Sequence, residues 1–176
     1  MSIRIIAAAV ALATVGLAAP AFAQSTGSAS AQGSITVLRP LTVTKNADLH
    51  FGSVVRPASG TGTVVISTAG ARSVTGDVVV LSSGLTPQAA AFPVDGEGGQ
   101  SVSITIPSSF NMANGSDSLT VTTSNNLTGS LASQVLSNAL GAAGSLAVRV
   151  GGTVTIGATT PTGAYAGSFT VSAAYN

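Results

Sequence analysis

The sequence of 176 residues contains no cysteine, no tryptophan and a single histidine. Without thiols there is no disulfide framework, no thiolate nucleophile and no cysteine-based zinc site. One imidazole is too few for the usual zinc ligand sets. Charge is almost as scarce: Asp, Glu, Lys and Arg make up 6% of the chain, against about 25% in an average protein. Beyond residue 23 the basic side chains Arg39, Lys45, Arg56, Arg72 and Arg149 are balanced by Asp48, Asp77, Asp95, Glu97 and Asp117. Such a surface offers no basic stripe to nucleic acid or anionic lipid. It also lacks the net charge that keeps copies of a protein apart, so association is expected. No segment carries a long helical period.

What is present begins with an export signal. Arg4 supplies a short positive region, Ile5 to Leu17 is apolar or small throughout, and Ala21-Phe22-Ala23 has the small-x-small form of a signal-peptidase site. Cleavage is expected before Gln24. The apolar run is shorter than the roughly 20 residues that span a bilayer, and no cysteine follows the cleavage site to carry a lipid. The expected mature chain, Gln24 to Asn176, therefore has no membrane anchor of its own. It is long enough for one domain with a real core.

That chain is rich in Val, Thr, Ser, Ala and Gly, in short β-branched runs broken by turn residues every eight to twelve positions or so. This is the pattern of an all-β sandwich. From Gly27 to Val43 the odd positions read Gly, Ala, Ala, Gly, Ile, Val, Arg, Leu, Val, an alternation too long for one strand and expected to break at Arg39-Pro40. Short strands are expected at Ala47 to Gly52, Thr63 to Ser67, Asp77 to Leu81, Ser101 to Ile106 and Ser118 to Thr122. Asp95 to Gly99 is expected to be a loop, Asn114-Gly115 a turn, and Asn125 to Gly144 a long loop. Leu146 to Val150 and Thr153 to Ile156, separated by Gly151-Gly152, read as a tight hairpin. The last fourteen residues place Tyr165, Gly167, Phe169, Val171, Ala173 and Tyr175 on one face and small or polar residues on the other. An aromatic next to the terminal carboxylate suggests that this end is docked.

Candidate chemistry is thin. Asp48 lies two residues before His50, the only histidine, on the same strand face, but no Gly-x-Ser-x-Gly elbow or other nucleophile motif accompanies the pair. No enzyme and no cofactor are expected. Asp95 and Glu97 could offer oxygens to calcium, yet the acidic ladder of a calcium loop is missing, and a solvated turn is the better reading. Asn114-Gly115-Ser116 and Asn126-Leu127-Thr128 match the glycosylation triplet and are also read as turns.

Taken in order, Ile35-Thr36-Val37-Leu38-Arg39-Pro40-Leu41, Leu49-His50-Phe51-Gly52, Phe92-Pro93-Val94, Ser103-Ile104-Thr105-Ile106-Pro107, Val150-Gly151-Gly152-Thr153 and the ending from Gly163 to Asn176 resemble the DUF4402 family of exported bacterial proteins. More distantly they resemble spore coat protein U and chaperone-usher fimbrial subunits. The fimbrial likeness rests on the penultimate Tyr175 and on Gly163, fourteenth from the end; the cysteine pair of those subunits is absent. The resemblance implies an immunoglobulin-like sandwich (residues 35 to 176) that lacks one strand and is completed by an extension from a neighbouring subunit. The implied donor is the extension at residues 24 to 34 continuing to Val37, with Gly27, Ala29, Ala31, Gly33, Ile35 and Val37 facing inward. The implied acceptor is the final strand, through Gly163, Tyr165, Phe169, Val171 and Tyr175. In that picture the chain passes through the periplasm, guarded by a chaperone and handed to an outer-membrane usher. It then polymerises with itself, head to tail, into a surface fibre. Two alternatives stand beside it. Ile35 to Val43 can be the domain's own first strand after a flexible leader, or the whole can be a non-polymerising surface or coat protein, including a carbohydrate-binding one. A lectin would need clustered exposed aromatics, and aromatics are only 4% of the chain.

Overall fold

The computed structural model describes residues 26–82 and 84–176; the export signal read from residues 1–23 lies outside them. The chain divides into two units, one ending at Ile35 and one beginning at Thr36. In the first, Thr26 to Ile35 form neither helix nor strand, and Ile35 is 87% exposed.

The second unit is all-β, with no helix among the described residues. Its strands are β1 (Thr42–Val43), β2 (Val54–Val55), β3 (Thr61–Ile66), β4 (Arg72–Thr75), β5 (Val79–Val80), β6 (Ala90–Glu97), β7 (Ser101–Thr105), β8 (Ser109–Asn114), β9 (Asp117–Asn125), β10 (Gln134–Val135), β11 (Ala143–Gly157) and β12 (Ser172–Tyr175). All pairings are antiparallel. A seven-stranded sheet contains β1, β6, β11, β3 and β4 in that order, with β8 and β9 joined to it through β11. A three-stranded sheet, β10-β7-β12, and a small ribbon of β2 and β5 complete the unit.

β11 organises everything. Val150 pairs with both Ala90 and Asn125, and Val154 with both Val64 and Val121. β6 and β3 therefore follow one another along one edge of β11, and β9 occupies the other. Gly151 sits where the partner changes, so the strand turns the large sheet over on itself. This corrects the hairpin expected at Gly151-Gly152. Neither glycine has the positive φ that a tight turn requires, and the two runs are one continuous strand. The glycines answer a need for space instead: a Cβ on Gly152 would lie 2.8 Å from Val121 Cγ1 and 3.1 Å from Leu49 Cδ2, and one on Gly151 would strike the Ile66 carbonyl.

Other expectations fail for related reasons. Asp95 to Glu97 belongs to β6, and only Gly98 and Gly99 form the turn. Gly96 pairs with Gly144 inside the strand, and the position is glycine for want of space: a Cβ there would meet the Tyr175 hydroxyl and come within 2.9 Å of Leu41 Cδ1 and 3.0 Å of Leu136 Cδ1. Asp77 to Leu81 is reduced to the two residues of β5, with Val78 turned into the core. Ala47 to Gly52 is irregular, touching β6 and its lead-in by single bridges at Ala47 and His50. β2, β4, β6 and β8 lie outside the strands expected from the sequence. The alternation from Gly27 to Val43 gives no strand before Thr42, so there is none for Arg39-Pro40 to break. The turn at Gly115 and the loop after Asn125 are as expected, apart from the two-residue β10 and the buried Leu136 in that loop.

Alternation builds two cores. In the first, Ala90, Phe92 and Val94 of β6 and Val148 and Val150 of β11 face Val102 and Ile104 of β7, with Leu136 and Val171. Here two sheets enclose the apolar layer, as in a sandwich. In the second, Val64 of β3, Val121 of β9, Val154 and Ile156 of β11 and Val78 pack together. Val54 of the β2–β5 ribbon packs against this half, which the three-stranded sheet does not cover.

Candidate functional site

A groove runs over the second core and reaches Ala90 and Phe92 at the end of the first. It consists of two cavities of about 500 and 350 Å³ that share Leu49, His50, Leu85, Met112 and Tyr165. The larger has Val64, Val154 and Ile156 in its floor, with Leu119 beside them. The smaller is floored by Ala90, Phe92 and Phe110.

Two chain segments wall it. The first, Lys45 to Val54, is held on its outer side by bonds to the segment leading into β6 and to β6 itself: Asn46 N–H donates to the Ala91 carbonyl at 2.8 Å, and His50 and Gln88 exchange N–H···O bonds at 3.0 Å each. The second, Gly163 to Phe169, is held by the Ala166–Ala113 pair, with bonds of 2.8 and 3.0 Å to β8. Each wall also has a stretch of backbone without a partner. Among the described residues, no backbone hydrogen bond reaches Asp48 or Leu49 on one wall, or Gly167 to Thr170 on the other. Unpaired strand backbone is normally satisfied by a neighbour.

The walls run in opposite directions. From Lys45 to Val54 the first passes from the smaller cavity to the larger, and from Gly163 to Phe169 the second passes back. A strand laid between them would be parallel to one and antiparallel to the other.

Of the acceptor residues read from the sequence, Gly163 and Tyr165 border the larger cavity, and Tyr165 and Phe169 the smaller. Phe169 stacks edge-on against Phe92 (centroids 5.8 Å apart) and lies 4.9 Å from the Phe110 ring, so its ring closes the groove's inner end. Val171 is buried in the first core rather than in the groove. Tyr175 lies further still, in β12, where Tyr175↔Val102 is the last pair with β7. The Asn176 N–H continues that ladder to the Ser101 carbonyl at 3.1 Å. Of the donor residues, Gly27 and Gly33 have open space around them, and Val37 is 80% exposed.

The sequence reading missed the first wall as a wall, and with it Met112 and Leu85. The alternation of Phe110 and Met112 against Asn111 and Ala113 carries the signal for β8.

His50 and Asp48 are not paired with each other. Asp48 takes the Lys45 ammonium at 2.7 Å, a bond that holds its carboxyl below the ordinary value. His50 lines both cavities, half-buried. Glu97 is not the solvated turn residue expected: its side chain is 4% exposed. It accepts bonds from the Gly141 N–H and from the Arg39 backbone N–H and guanidinium, the last at 3.1 Å. The Gly141 bond, then Arg39, hold its carboxyl below the usual glutamate value against the opposing effect of burial.

The sequence model of the family described as "Domain of unknown function (DUF4402)" matches residues 41–175. The chain belongs to the DUF4402 family. The match takes in both walls and the floor of the groove and begins after the extension. It says nothing of spore coat protein U or of fimbrial subunits. No curated protein and no solved structure matches this DUF4402 chain.

Proposed function

We propose that this DUF4402 protein is a structural subunit that is exported and polymerises head to tail into a surface fibre. In this reading the groove of one copy accepts the N-terminal extension of the next. The observation that carries it is the groove itself: an apolar trough over the open half of the core, bordered on both sides by backbone without partners. A strand inserted there would meet hydrogen-bonding groups on each flank and an apolar floor beneath, which is recognition by strand addition.

The extension has matching features. Gly27 to Val37 spans eleven residues, roughly 36 Å when extended, and the wall from Gly163 to Phe169 spans seven, roughly 23 Å. Ile35 and Val37 would add roughly 1.5 to 3 kcal/mol each on burial. The Gly and Ala positions before them would depend on backbone bonds, at about 0.5 to 1.5 kcal/mol net each. An unfilled groove invites indiscriminate pairing, which is the reason to expect a periplasmic chaperone before assembly and an usher at the outer membrane. The competing reading as a carbohydrate-binding coat protein draws little support from the aromatics. Phe92, Phe110 and Phe169 stack on one another, and the Tyr165 hydroxyl is turned to the Pro161 carbonyl at 2.9 Å.

The test is electrophoresis of the purified full chain without boiling. Ladders of multimers resistant to mild denaturant are expected, and they should vanish when residues 24–32 are deleted. A deletion variant that still forms ladders removes the extension as donor.

A further inference from the structure

Followed past the groove, the two walls converge. The first wall begins six residues beyond Arg39, and β1, lying between them, is in contact with β12, the continuation of the second wall. At the point of convergence three distant parts of the chain are joined. The Tyr175 hydroxyl donates to the Arg39 carbonyl at 3.0 Å and accepts from the Glu97 N–H at 2.6 Å. The Glu97 carboxylate holds the Arg39 guanidinium at 3.1 Å, and that guanidinium also reaches the Gly141 carbonyl at 3.1 Å. Gly96, with no room for a side chain, lets the Tyr175 ring lie against β6. The groove thus has a closed end beyond Phe169, where the two walls are tied together, like the vertex of a fork.

We propose that the Arg39–Glu97–Tyr175 clasp is the closed end of this fork, with Glu97 and Tyr175 as positioning residues that keep the walls together and so retain an inserted strand. This rests on the groove being a strand acceptor. The clasp also fixes the stem from which the protein's own extension departs, since Arg39 stands two residues after Val37. A fork held at its vertex confines a strand between its arms; released there, the arms separate and the strand slides out. Among the described residues, the only charged group bonded to the Glu97 carboxylate is Arg39 from the stem. Tyr175 from β12 contacts the Glu97 backbone, the loop after β10 offers the Gly141 N–H, and Asp95 on the same strand is exposed. Protonating Glu97 removes the charge that holds Arg39, so retention is expected to weaken once the pH falls below the ordinary glutamate value of 4.5.

The full chain is refolded with an excess of a fluorescent peptide of residues 24–38, then chased with unlabelled peptide while release is followed by anisotropy. Glu97→Gln and Tyr175→Phe should release the peptide about fivefold faster at pH 7, the factor that one lost hydrogen bond of ordinary net strength corresponds to. Release from the unsubstituted protein should accelerate below pH 4.5, and that acceleration should be absent in Glu97→Gln. The pH profile of the unsubstituted protein serves even where a variant folds poorly. If both variants capture and release peptide as the unsubstituted protein does, the clasp inference is wrong and the acceptor reading stands. If the unsubstituted protein captures no peptide at any pH, both fall.

Discussion

The two halves of the core share β11 and differ in what lies above them. Val94, Val148 and Val150 are covered by the sheet of β10, β7 and β12, whereas Val64, Val154 and Ile156 lie beneath an apolar trough. The closing segment shows the difference along a single stretch of chain. From Tyr165 to Tyr175 its odd side chains, Gly167 apart, are turned inward. Yet residues 172–175 are paired with β7 along their whole length, while 167–170 make no backbone hydrogen bond to another described residue. Period two in a sequence states which face of a strand meets the core. It does not state whether the strand's edge has a neighbour, and in this molecule the candidate function lies in that second property.

The largest effect that sharpens the contrast is expected at Leu136, 1% exposed and packed in the covered half. Leu136→Ala should cost about 2 to 5 kcal/mol, which for a domain of this size lowers the melting temperature by roughly 5 to 15 °C. Met112, half-buried, faces both cavities. Truncating it enlarges a space that is already open, so Met112→Ala should cost the unfilled protein less than about 2 kcal/mol. The difference between the two variants should shrink once the groove is filled, because Met112 would then be packed on its outer side as well. Thermal melts of both variants, with and without the peptide of residues 24–38, check this. Equal losses in the unfilled protein would mean that the trough is closed in solution.

Much of this was legible in the sequence, and the misses have physical causes. The all-β class and the inward face of the last strand follow from side-chain alternation, which is local. The glycine readings failed where glycine answers a tertiary demand. Gly151 and Gly152 were read as turn formers and Gly96 as loop, while the molecule uses all three as gaps through which Ile66, Val121 and Tyr175 approach. Glu97 failed in the same way: nothing next to it in sequence announces Arg39 and Gly141, which lie 58 and 44 residues away. Of the ending's inward residues, Tyr165 and Phe169 border the cavities, and the first wall has no counterpart in the sequence reading. An irregular segment held by single bridges carries no period to read.

The smallest effect is expected on the groove's own rim, and it discriminates between two carboxylates. Both Asp48 and Glu97 have carboxyls held below their ordinary values, of 3.8 and 4.5 respectively. Each therefore contributes stability that is complete above its ordinary value and lost as the pH falls through its lower folded value. Their surroundings differ: Asp48 and Lys45 are 56% and 59% exposed, a pair that water and salt screen, whereas the Glu97 side chain is 4% exposed. Asp48→Asn should leave the melting temperature unchanged at pH 7 and the acid-side decline below pH 4.5 intact. Glu97→Gln should flatten that decline, because the charge whose loss drives it is already gone. Melting curves of the three proteins from pH 7 to pH 3 decide the matter. A decline removed by Asp48→Asn would relocate the acid-sensitive point from the closed end of the fork to its open wall.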